Sequence, residues 1–299
     1  SETAIYDSTI YNYFNSILKK NIPNKLFVSA KLIQKLRYGE NPHQYGGIYS
    51  NEEDFKLKKL QGKELSYNNY SDIFACLGLS KTLPKNRGTV IVKHANPSGV
   101  SIENDHLKSY LSAMNCDPIS AFGGIVACNY KISFKIAKEI IKNYYEVIVA
   151  NGFDIDALKL FKTKKNLRLI DSSEIIIKKD NKIVSGINSF LMQTNDNIII
   201  NKKNFKIASK VKPSKKLMEQ IIFSFNICRS VKSNAIVIVQ NNKTLGIGSG
   251  QPSRLDSCKI ASNKAKKFVP EKLSNSVAAS DAFFPFADGI KELIDSGIK

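Results

Sequence analysis

The segment TVIVKHANPSG, residues 89–99, joins a run of apolar and β-branched residues to a cluster of polar ones. The run Thr89–Val92 is typical of a buried β-strand, because β-branched side chains pack well on a pleated surface. Lys93 and His94 follow directly, and polar residues continue to Gly99. Open α/β sheets place their ligands beyond the carboxyl ends of their strands. We therefore expect this segment to supply both a central strand and a functional loop.

Elsewhere in the chain, short apolar runs alternate with polar loops and helical patterns. The runs with strand character are Ile125–Cys128, Val147–Ala150 and Ala235–Val239. The helical patterns cover residues 7–20, 133–144 and 287–296. A hairpin turn is expected at Asn241-Asn242, and a glycine-rich turn at residues 246–252 is expected to open a further helix. This alternation predicts an α/β fold.

Two parts of the sequence echo each other weakly. Residues 117–124 and 280–289 both combine Asp, small residues, Phe and Gly, and the arrangement of residues 89–99 recurs at 235–254. The echo predicts two related α/β halves. The predicted division is a first half with the N-terminal helix at 1–195, a linker at 196–212 and a second half at 213–299. Since a parallel sheet would continue with another strand, we expect the second half to lack a C-terminal segment.

Composition limits the classes of protein to consider. The chain has 299 residues, 42% of them hydrophobic, and a net charge of +19. No apolar run approaches the roughly 18 residues of a membrane helix, and the N-terminus lacks the pattern of a secretory signal, so a cytoplasmic protein is expected. The charge would suit phosphates, carboxylates or nucleic acid. The lysines are scattered, however, which favours a solvated surface over a nucleic-acid-binding face.

Metal and disulfide chemistry find little support in the sequence. The five cysteines lie far apart without a CxxC pair, so reduced, buried thiols are expected. The three histidines, His43, His94 and His106, belong to no HxE or HExxH pattern. We therefore expect no metal site, and no zinc in particular.

Lys93 and His94 are the pair of residues best suited to catalysis. Histidine titrates near neutral pH and suits a general base that takes a proton from an amine. A neighbouring ammonium favours the neutral imidazole and could stabilise an oxyanion on an attacked carbonyl. A Lys-His dipeptide is also common in purely structural positions, so its place at a strand end is what favours a functional interpretation.

Other polar residues suggest binding of an anionic or heterocyclic ligand. Arg37 offers a guanidinium and Tyr38 an aromatic face. Asn234 could bond a carboxamide, and Arg254 could hold an anion. The glycines at 246–250 could form an anion cradle, although they do not fit GxGxxG. Asp281 and Asp288 could serve a ligand or could cap helices and turns.

Eight motifs together resemble the transformylase domain of the bifunctional AICAR transformylase/IMP cyclohydrolase family. They occur in the family's order: LRYGENPHQ (36–44), QGKELSYNN (61–69), VKHANPSGV (92–100), DPISAFGGIVA (117–127), KKNLRLI (164–170), VKSNAIVIV (231–239), GIGSGQPSR (246–254) and SDAFFPFADG (280–289).

The resemblance implies transfer of a formyl group from 10-formyltetrahydrofolate, the cosubstrate, to the 5-amino group of AICAR. It also implies two cytidine-deaminase-like halves in a three-layer α/β/α fold without zinc. A homodimer with shared active sites is expected, and a potassium ion is a further expectation without assigned ligands. The cyclohydrolase domain has no counterpart here, so closure to IMP is not expected of these residues.

The resemblance also assigns roles to individual residues. Lys93 and His94 match the catalytic pair, with His94 taking the proton from the attacking amine, and Asn234 matches the asparagine that holds the reacting groups. Arg37 and Tyr38 match the nucleotide-binding pair. The remaining matches line the substrate and folate pocket: Phe122, Gly123, Arg254, Phe283 or Phe284, and Asp288.

Two other interpretations stay open. The chain could be a folded remnant of this domain without activity, because the family's final segment with its terminal arginine is not among these residues. It could also be a basic nucleic-acid-binding module, for which charge is the sole support.

Overall fold

The computed structural model of the chain describes residues 2–18, 22–50, 55–176 and 181–299. The chain forms two units. The smaller unit comprises Ser1–Phe55 and Ile176–Ile199, and the larger comprises Lys56–Ile175 and Ile200–Lys299. The predicted division at 195 and 213 separates the two halves of the internal repeat and not these compact units. It therefore stays a prediction.

Helices and strands are numbered in chain order within the described residues. The helices are α1 Glu2–Ile17, α2 Tyr67–Thr82, α3 His106–Cys116, α4 Pro118–Ala121, α5 Phe134–Ile140, α6 Ile155–Phe161, α7 Lys215–Cys228, α8 Arg254–Phe268 and α9 Asp288–Asp295. The strands are β1 Lys31–Leu36, β2 Gly46–Ser50, β3 Lys58–Gln61, β4 Gly88–Lys93, β5 Asn96–Ile102, β6 Ile125–Cys128, β7 Val147–Ala150, β8 Arg168–Asp171, β9 Asn181–Gly186, β10 Ser189–Thr194, β11 Ile236–Gln240, β12 Lys243–Gly248 and β13 Val277–Ser280.

Nine strands of the larger unit form one sheet in the order β13-β11-β12-β5-β4-β6-β7-β8-β3. Strands β6, β7 and β8 are parallel, and the other neighbours are antiparallel. Helices α3, α5 and α6 pack on one face, against side chains such as Ile91 and Ile148. Helix α2 contacts β4, β6 and β7; because side chains alternate along β4, it covers the opposite face, on which Val90 lies. The predicted three-layer α/β/α architecture is confirmed.

The two halves of this sheet repeat one arrangement. Strand order β5-β4-β6 in the first half corresponds to β12-β11-β13 in the second, with α2 and α7 preceding and α3 and α8 following each hairpin. A buried side-chain donor occupies the same place in both. The thiol of Cys76 on α2 lies 3.6 Å from the Val90 carbonyl on β4, and the hydroxyl of Ser224 on α7 donates to the Val237 carbonyl on β11 at 2.7 Å. All five cysteines are free and buried, as expected.

The particular echo seen in the sequence does not mark equivalent positions. Residues 117–124 precede β6, whereas residues 280–289 follow β13. Asp, small residues and Phe recur at strand ends for local reasons, so this similarity is not evidence of the repeat. The repeat is defined instead by the order of the strands.

The halves join where β5 and β12 pair antiparallel, with Lys243 opposite Ser101. Thr244, 1% exposed, accepts a hydrogen bond from the Val100 N–H at 2.9 Å and donates to the Val100 carbonyl at 3.2 Å. The Ile102 N–H donates to the Asn242 carbonyl at 2.9 Å. This short junction makes one sheet of two hairpins.

The glycine-rich segment was wrongly expected to be a turn and an anion cradle. Gly246 and Gly248 lie in strand β12, and only Gly250 beyond it has a positive φ, of 69°. A Cβ at Gly248 would lie 2.0 Å from the Ser257 carbonyl oxygen of α8. These glycines therefore allow a helix to approach the strand closely, and their neighbours are protein backbone.

The N-terminal helix also differs from its prediction. It begins at Glu2 and ends at Ile17, whereas residues 7–20 were expected, of which 19 and 20 lie outside the described residues. Its apolar side chains are exposed within the smaller unit, with Tyr13 61% and Phe14 56% accessible. Periodicity identified the helix, but it could not show whether a covering surface exists. None of the described helices is long and apolar enough to cross a membrane.

The junction predicts the effect of Thr244→Val, which keeps the side-chain shape but leaves the buried Val100 N–H without its acceptor. We expect the free energy of unfolding, measured by urea denaturation, to fall by about 1–3 kcal/mol. Thr163→Val is the control, because the Thr163 hydroxyl is exposed and bonds only the Leu160 carbonyl within its own helical turn. Equal, small effects of both substitutions would contradict the role given to the junction.

Candidate functional site

His94 and Ala95 form the two-residue turn between β4 and β5. Their φ angles are +53° and +56°, as in the type I′ turn that suits a hairpin. Asn or Gly normally occupies such positions, because a left-handed conformation costs other residues roughly 1–2 kcal/mol each. The polar segment up to Gly99 was expected to be a loop, but β5 already begins at Asn96. The turn leaves the His94 side chain exposed at the ends of strands β4 and β5.

Lys93 joins this turn to a second predicted segment. Its Nζ donates a hydrogen bond to the Phe122 carbonyl at 2.8 Å. Gly123 follows with a φ of +73°, and its N–H donates to the Tyr144 carbonyl at 2.8 Å. The Phe122 ring is 61% exposed and lies 5.2 Å from the Tyr144 ring, centroid to centroid. The predicted residues Lys93, Phe122 and Gly123 therefore lie together.

Asn96 joins the same turn to the second half of the sheet. Its Oδ1 accepts a hydrogen bond from the Lys232 N–H at 3.0 Å, and its Nδ2 donates to the His94 carbonyl at 3.2 Å. The Lys232 carbonyl in turn accepts the Gly250 N–H at 2.7 Å. The β4–β5 turn thus lies beside the segments that precede β11 and follow β12, where Asn234 is found.

Asn234 is fixed by hydrogen bonds at both ends of its amide. Its Nδ2 donates to the carbonyls of Gln251 at 2.8 Å and Pro252 at 2.9 Å. Its Oδ1 accepts a hydrogen bond from Arg254 at 2.6 Å. An amide oxygen has two lone pairs, so one acceptor position remains. The side chain is held in a single orientation.

The Arg254 guanidinium donates hydrogen bonds to three protein side chains. In addition to Asn234, it donates to the hydroxyl of Ser280 at 2.8 Å and to Asp281 Oδ1 at 2.5 Å. Asp281 also accepts the Ala235 N–H at 3.1 Å and a hydrogen bond from the Ser233 hydroxyl. Asp281, offered by the sequence as a ligand or capping residue, is the centre of a network that orients Asn234 and Arg254.

The ionisation of Asp281 follows from this network. Burial by itself would raise the pKa of the carboxyl group, but the hydrogen bonds from Ser233 and Arg254 outweigh it and lower the pKa below its ordinary value of 3.8. The carboxylate is therefore charged at neutral pH and can balance the guanidinium of Arg254.

The predicted residues near the C-terminus separate into exposed and packed positions. Phe283 is 81% exposed, whereas Phe284 packs against the core under α8. Of the two, Phe283 is available to a ligand. Asp288 begins α9, and its Oδ1 accepts the Gly289 N–H at 2.7 Å, a local hydrogen bond at a helix start.

Arg37 and Tyr38 belong to the smaller unit. The Arg37 guanidinium carbon lies 5.7 Å from the centroid of the Tyr38 ring, a cation–π contact. The following loop is closed by the Gly39 N–H, which donates to the Gln44 carbonyl at 2.7 Å. The exposed guanidinium keeps its donors available for an anion.

Sequence reasoning missed a polar pair and a cavity near Phe122. The Asn69 amide donates to Glu146 Oε2 at 2.8 Å, and the Glu146 N–H donates to the Gly124 carbonyl at 3.1 Å. A cavity of about 580 Å³ opens beside Phe122. Its lining combines aromatic, aliphatic and cationic side chains, including Tyr144, Ile140, Ile148, Lys164 and Lys165. The lining residues come from three separate segments, at 122, 140–148 and 163–167, so no single local pattern could have grouped them.

Within the described ranges, no group of three or more His, Cys, Asp or Glu side chains is arranged to hold a metal ion.

The family model and the similar proteins all point to one family. A family model described as AICARFT/IMPCHase bienzyme matches residues 1–264. The bifunctional purine biosynthesis protein PurH of Leptospira biflexa serovar Patoc is 42% identical over 304 residues, which cover 100% of this chain and 58% of that protein. The PurH proteins of Aquifex aeolicus and Bradyrhizobium diazoefficiens are 42% and 39% identical, over 100% and 99% of this chain and 59% of each relative. The chain thus spans less than two thirds of these relatives.

The network around Asp281 predicts a pH-dependent contribution to stability. Because the folded-state pKa is lowered, the stabilisation by the carboxylate is complete above the unfolded-state value of about 3.9 and is lost as the pH falls through the lower folded-state value. We expect Asp281→Asn to lower the free energy of unfolding by about 2 kcal/mol at pH 7. This difference should shrink below about pH 4.

Asp156→Asn is the control, because the Asp156–Lys159 ion pair lies on an exposed helix surface and contributes little. Urea denaturation from pH 2 to pH 7 measures both variants. A difference between wild type and Asp281→Asn that stays constant over this range would contradict the account.

Proposed function

The chain belongs to the AICARFT/IMPCHase bienzyme family, and on this premise we propose that it is the part that formylates AICAR. The formyl group comes from 10-formyltetrahydrofolate and is transferred to the 5-amino nitrogen of AICAR. The observation that supports this most directly is the position of His94, exposed on a turn that also contacts the segments of Phe122 and Asn234.

The proposed reaction is an acyl transfer between two nitrogens. The 5-amino nitrogen of AICAR attacks the formyl carbon, and the imidazole of His94 takes the proton that this nitrogen loses. The bond between the formyl carbon and N10 of the folate then breaks, and N10 takes up a proton as tetrahydrofolate leaves. AICAR gains the formyl group that the folate loses.

Lys93 and Asn234 support this step in different ways. The Lys93 ammonium can stabilise the negative charge that develops on the formyl oxygen. Its hydrogen bond to the Phe122 carbonyl holds it beside the turn. Asn234 offers its remaining acceptor position to the reacting amine, while Arg254 and Asp281 keep the amide oriented. Such fixed polar groups lower a barrier without reorganising during the reaction.

The other predicted residues are proposed to bind the two substrates. Arg37 would hold the phosphate of AICAR and Tyr38 its heterocycle, because a guanidinium and an aromatic face suit these groups. Phe122, Gly123 and Phe283 would line the pocket. Arg254 would act in the same pocket as Asn234 through its network, and Asp288 would act on the folate side. Potassium binding stays a prediction without assigned ligands, and so does a cytoplasmic location.

We further propose that the chain forms a homodimer. The β9–β10 hairpin of the smaller unit exposes several apolar side chains, with Ile187 93%, Phe190 68% and Leu191 71% accessible. Exposed apolar patches of this kind mark interaction surfaces. An isolated two-stranded hairpin is marginally stable in water, so a second copy that packs against the hairpin and covers Leu191 would also stabilise it.

The assignment of His94 predicts the effect of His94→Ala. Removing a general base typically lowers the rate 10²- to 10⁴-fold, and we expect kcat to fall by about this factor. The assay follows tetrahydrofolate formation from AICAR and 10-formyltetrahydrofolate by absorbance. His106→Ala is the control, because His106 begins α3 and, among the described residues, makes structural contacts only. It stacks on Tyr130 with ring centroids 3.9 Å apart and bonds the Asn86 carbonyl.

If wild type and His94→Ala turn over at the same rate, His94 is not the base. A wild-type chain that folds but forms no tetrahydrofolate would support the alternative of an inactive remnant.

The dimer proposal predicts that Leu191→Asp shifts the chain towards monomer, because a buried carboxylate without a partner opposes association. Ile155→Asp is the matched control, since Ile155 is 72% exposed, close to the 71% of Leu191, but lies on α6 outside the hairpin. Sedimentation equilibrium measures both variants. Equal dimerisation of both, or a monomeric wild type, would rule out this surface as the dimer contact.

A further inference from the structure

The turn that presents His94 is held by a carboxylate from another element. Asp72 Oδ2 accepts the His94 N–H at 3.2 Å, and Asp72 Oδ1 accepts the Ala95 N–H at 2.6 Å. Asp72 lies on α2, more than twenty residues earlier in the chain, and is half-buried. Both backbone donors of the turn are therefore bonded to one side chain.

Asp72 has no role in forming its own helix. Helix α2 begins at Tyr67, and Ser66 is its N-cap, with a hydrogen bond from the Asn69 N–H. Asp in a helix interior is unfavourable compared with Ala or Glu, because its short polar side chain competes for backbone donors. Asp72 instead bonds backbone donors of a different element, the turn at His94 and Ala95.

The second half of the sheet offers an internal comparison. Its equivalent turn, between β11 and β12, consists of Asn241 and Asn242, with φ angles of +47° and +60°. Asparagine tolerates this conformation well. A side chain of the preceding helix, Gln220 on α7, accepts only the Asn241 N–H, at 2.8 Å. A neutral group with one hydrogen bond thus suffices where the turn residues suit the turn.

The first turn differs in both respects. Ala95 suits a left-handed turn poorly, and His94 suits it less well than Asn does. The helix supplies a carboxylate with two hydrogen bonds in place of an amide with one, and charge-assisted hydrogen bonds are roughly twice as strong as neutral ones. Position 94 is also where the general base is placed.

We propose that Asp72 is a positioning residue, which holds the backbone of residues 94 and 95 so that the His94 imidazole points at the attacking amine. The inference rests on the proposed function. Asp72 touches neither substrate in this account and acts through the turn. Its loss therefore lowers kcat and leaves KM for AICAR and the folate nearly unchanged, because misplacement of a reacting group by about 1 Å can cost 10²-fold in rate.

The test compares four proteins: wild type, Asp72→Ala, Asp72→Asn and Asp105→Ala. Asp105 is the matched control, because its carboxylate also accepts two backbone N–H groups, from Leu107 at 2.9 Å and Lys108 at 3.2 Å, but it caps α3 away from the turn. We expect Asp72→Ala to lower kcat about 10- to 100-fold with KM changed less than about threefold. Asp72→Asn keeps one acceptor oxygen and is expected to be intermediate. Asp105→Ala is expected to keep the wild-type kcat.

Hydrogen exchange of the backbone amides gives a readout that does not require activity. In Asp72→Ala the amides of residues 94 and 95 are expected to exchange about tenfold faster or more, while those of residues 107 and 108 are unchanged. In Asp105→Ala the pattern is expected to be the reverse. These measurements use the folded chain and show directly whether the carboxylate holds the turn.

Two results would overturn the proposal: a wild-type kcat in Asp72→Ala, or an equal loss of kcat in Asp105→Ala, which would reflect general destabilisation. If the wild type shows no formyl transfer, the proposed function fails. Hydrogen exchange then decides whether Asp72 holds the backbone of residues 94 and 95. Unchanged exchange at residues 94 and 95 in Asp72→Ala would then reject it. Should Asp72→Ala fail to fold, Asp72→Asn is judged by the same two readouts.

Discussion

The short antiparallel contact between β5 and β12 is the constraint on which the rest of the larger unit depends. Thr244 uses both its acceptor and its donor on Val100, and this contact makes a continuous sheet from two hairpins. A second link between the halves is the ion pair of Lys264 with the buried Asp117, at 2.7 Å. Because β5 and β12 run in opposite directions, the turn of the first hairpin meets the open ends of the second. The candidate site lies where they meet.

The two halves contribute different parts of the site. The first provides His94, the proposed general base, on a turn of two left-handed residues, and the second provides a fixed amide through the network of Asn234, Arg254 and Asp281. The continuous sheet brings the first turn beside the segment that precedes β11, as the hydrogen bond between Asn96 and Lys232 shows. A repeated fold can thus form an asymmetric site, because only one of its two hairpin turns carries a histidine.

Local sequence patterns predicted the elements well and their relationships less well. The strand Val147–Ala150 was predicted with its observed bounds, because this apolar run begins and ends directly beside polar residues. The glycines of β12 were misjudged, since the α8 backbone that requires them is visible only in three dimensions. The family motifs named Lys93 and Phe122 as site residues, but the hydrogen bond between them was not predicted. The roles of Asp72 and Asp281 depend on partners more than twenty residues away, so no motif could have identified them.

The central claim is that His94 contacts the attacking amine at the strand ends where the turn of the first hairpin meets the open end of the second. A crystal structure of the chain with AICAR and an unreactive folate analogue tests this most directly. The account predicts that the 5-amino nitrogen of AICAR lies about 2.6–3.2 Å from an imidazole nitrogen of His94, or is linked to it by one water molecule. AICAR bound elsewhere, or bound with its amino group turned away from His94, would contradict it.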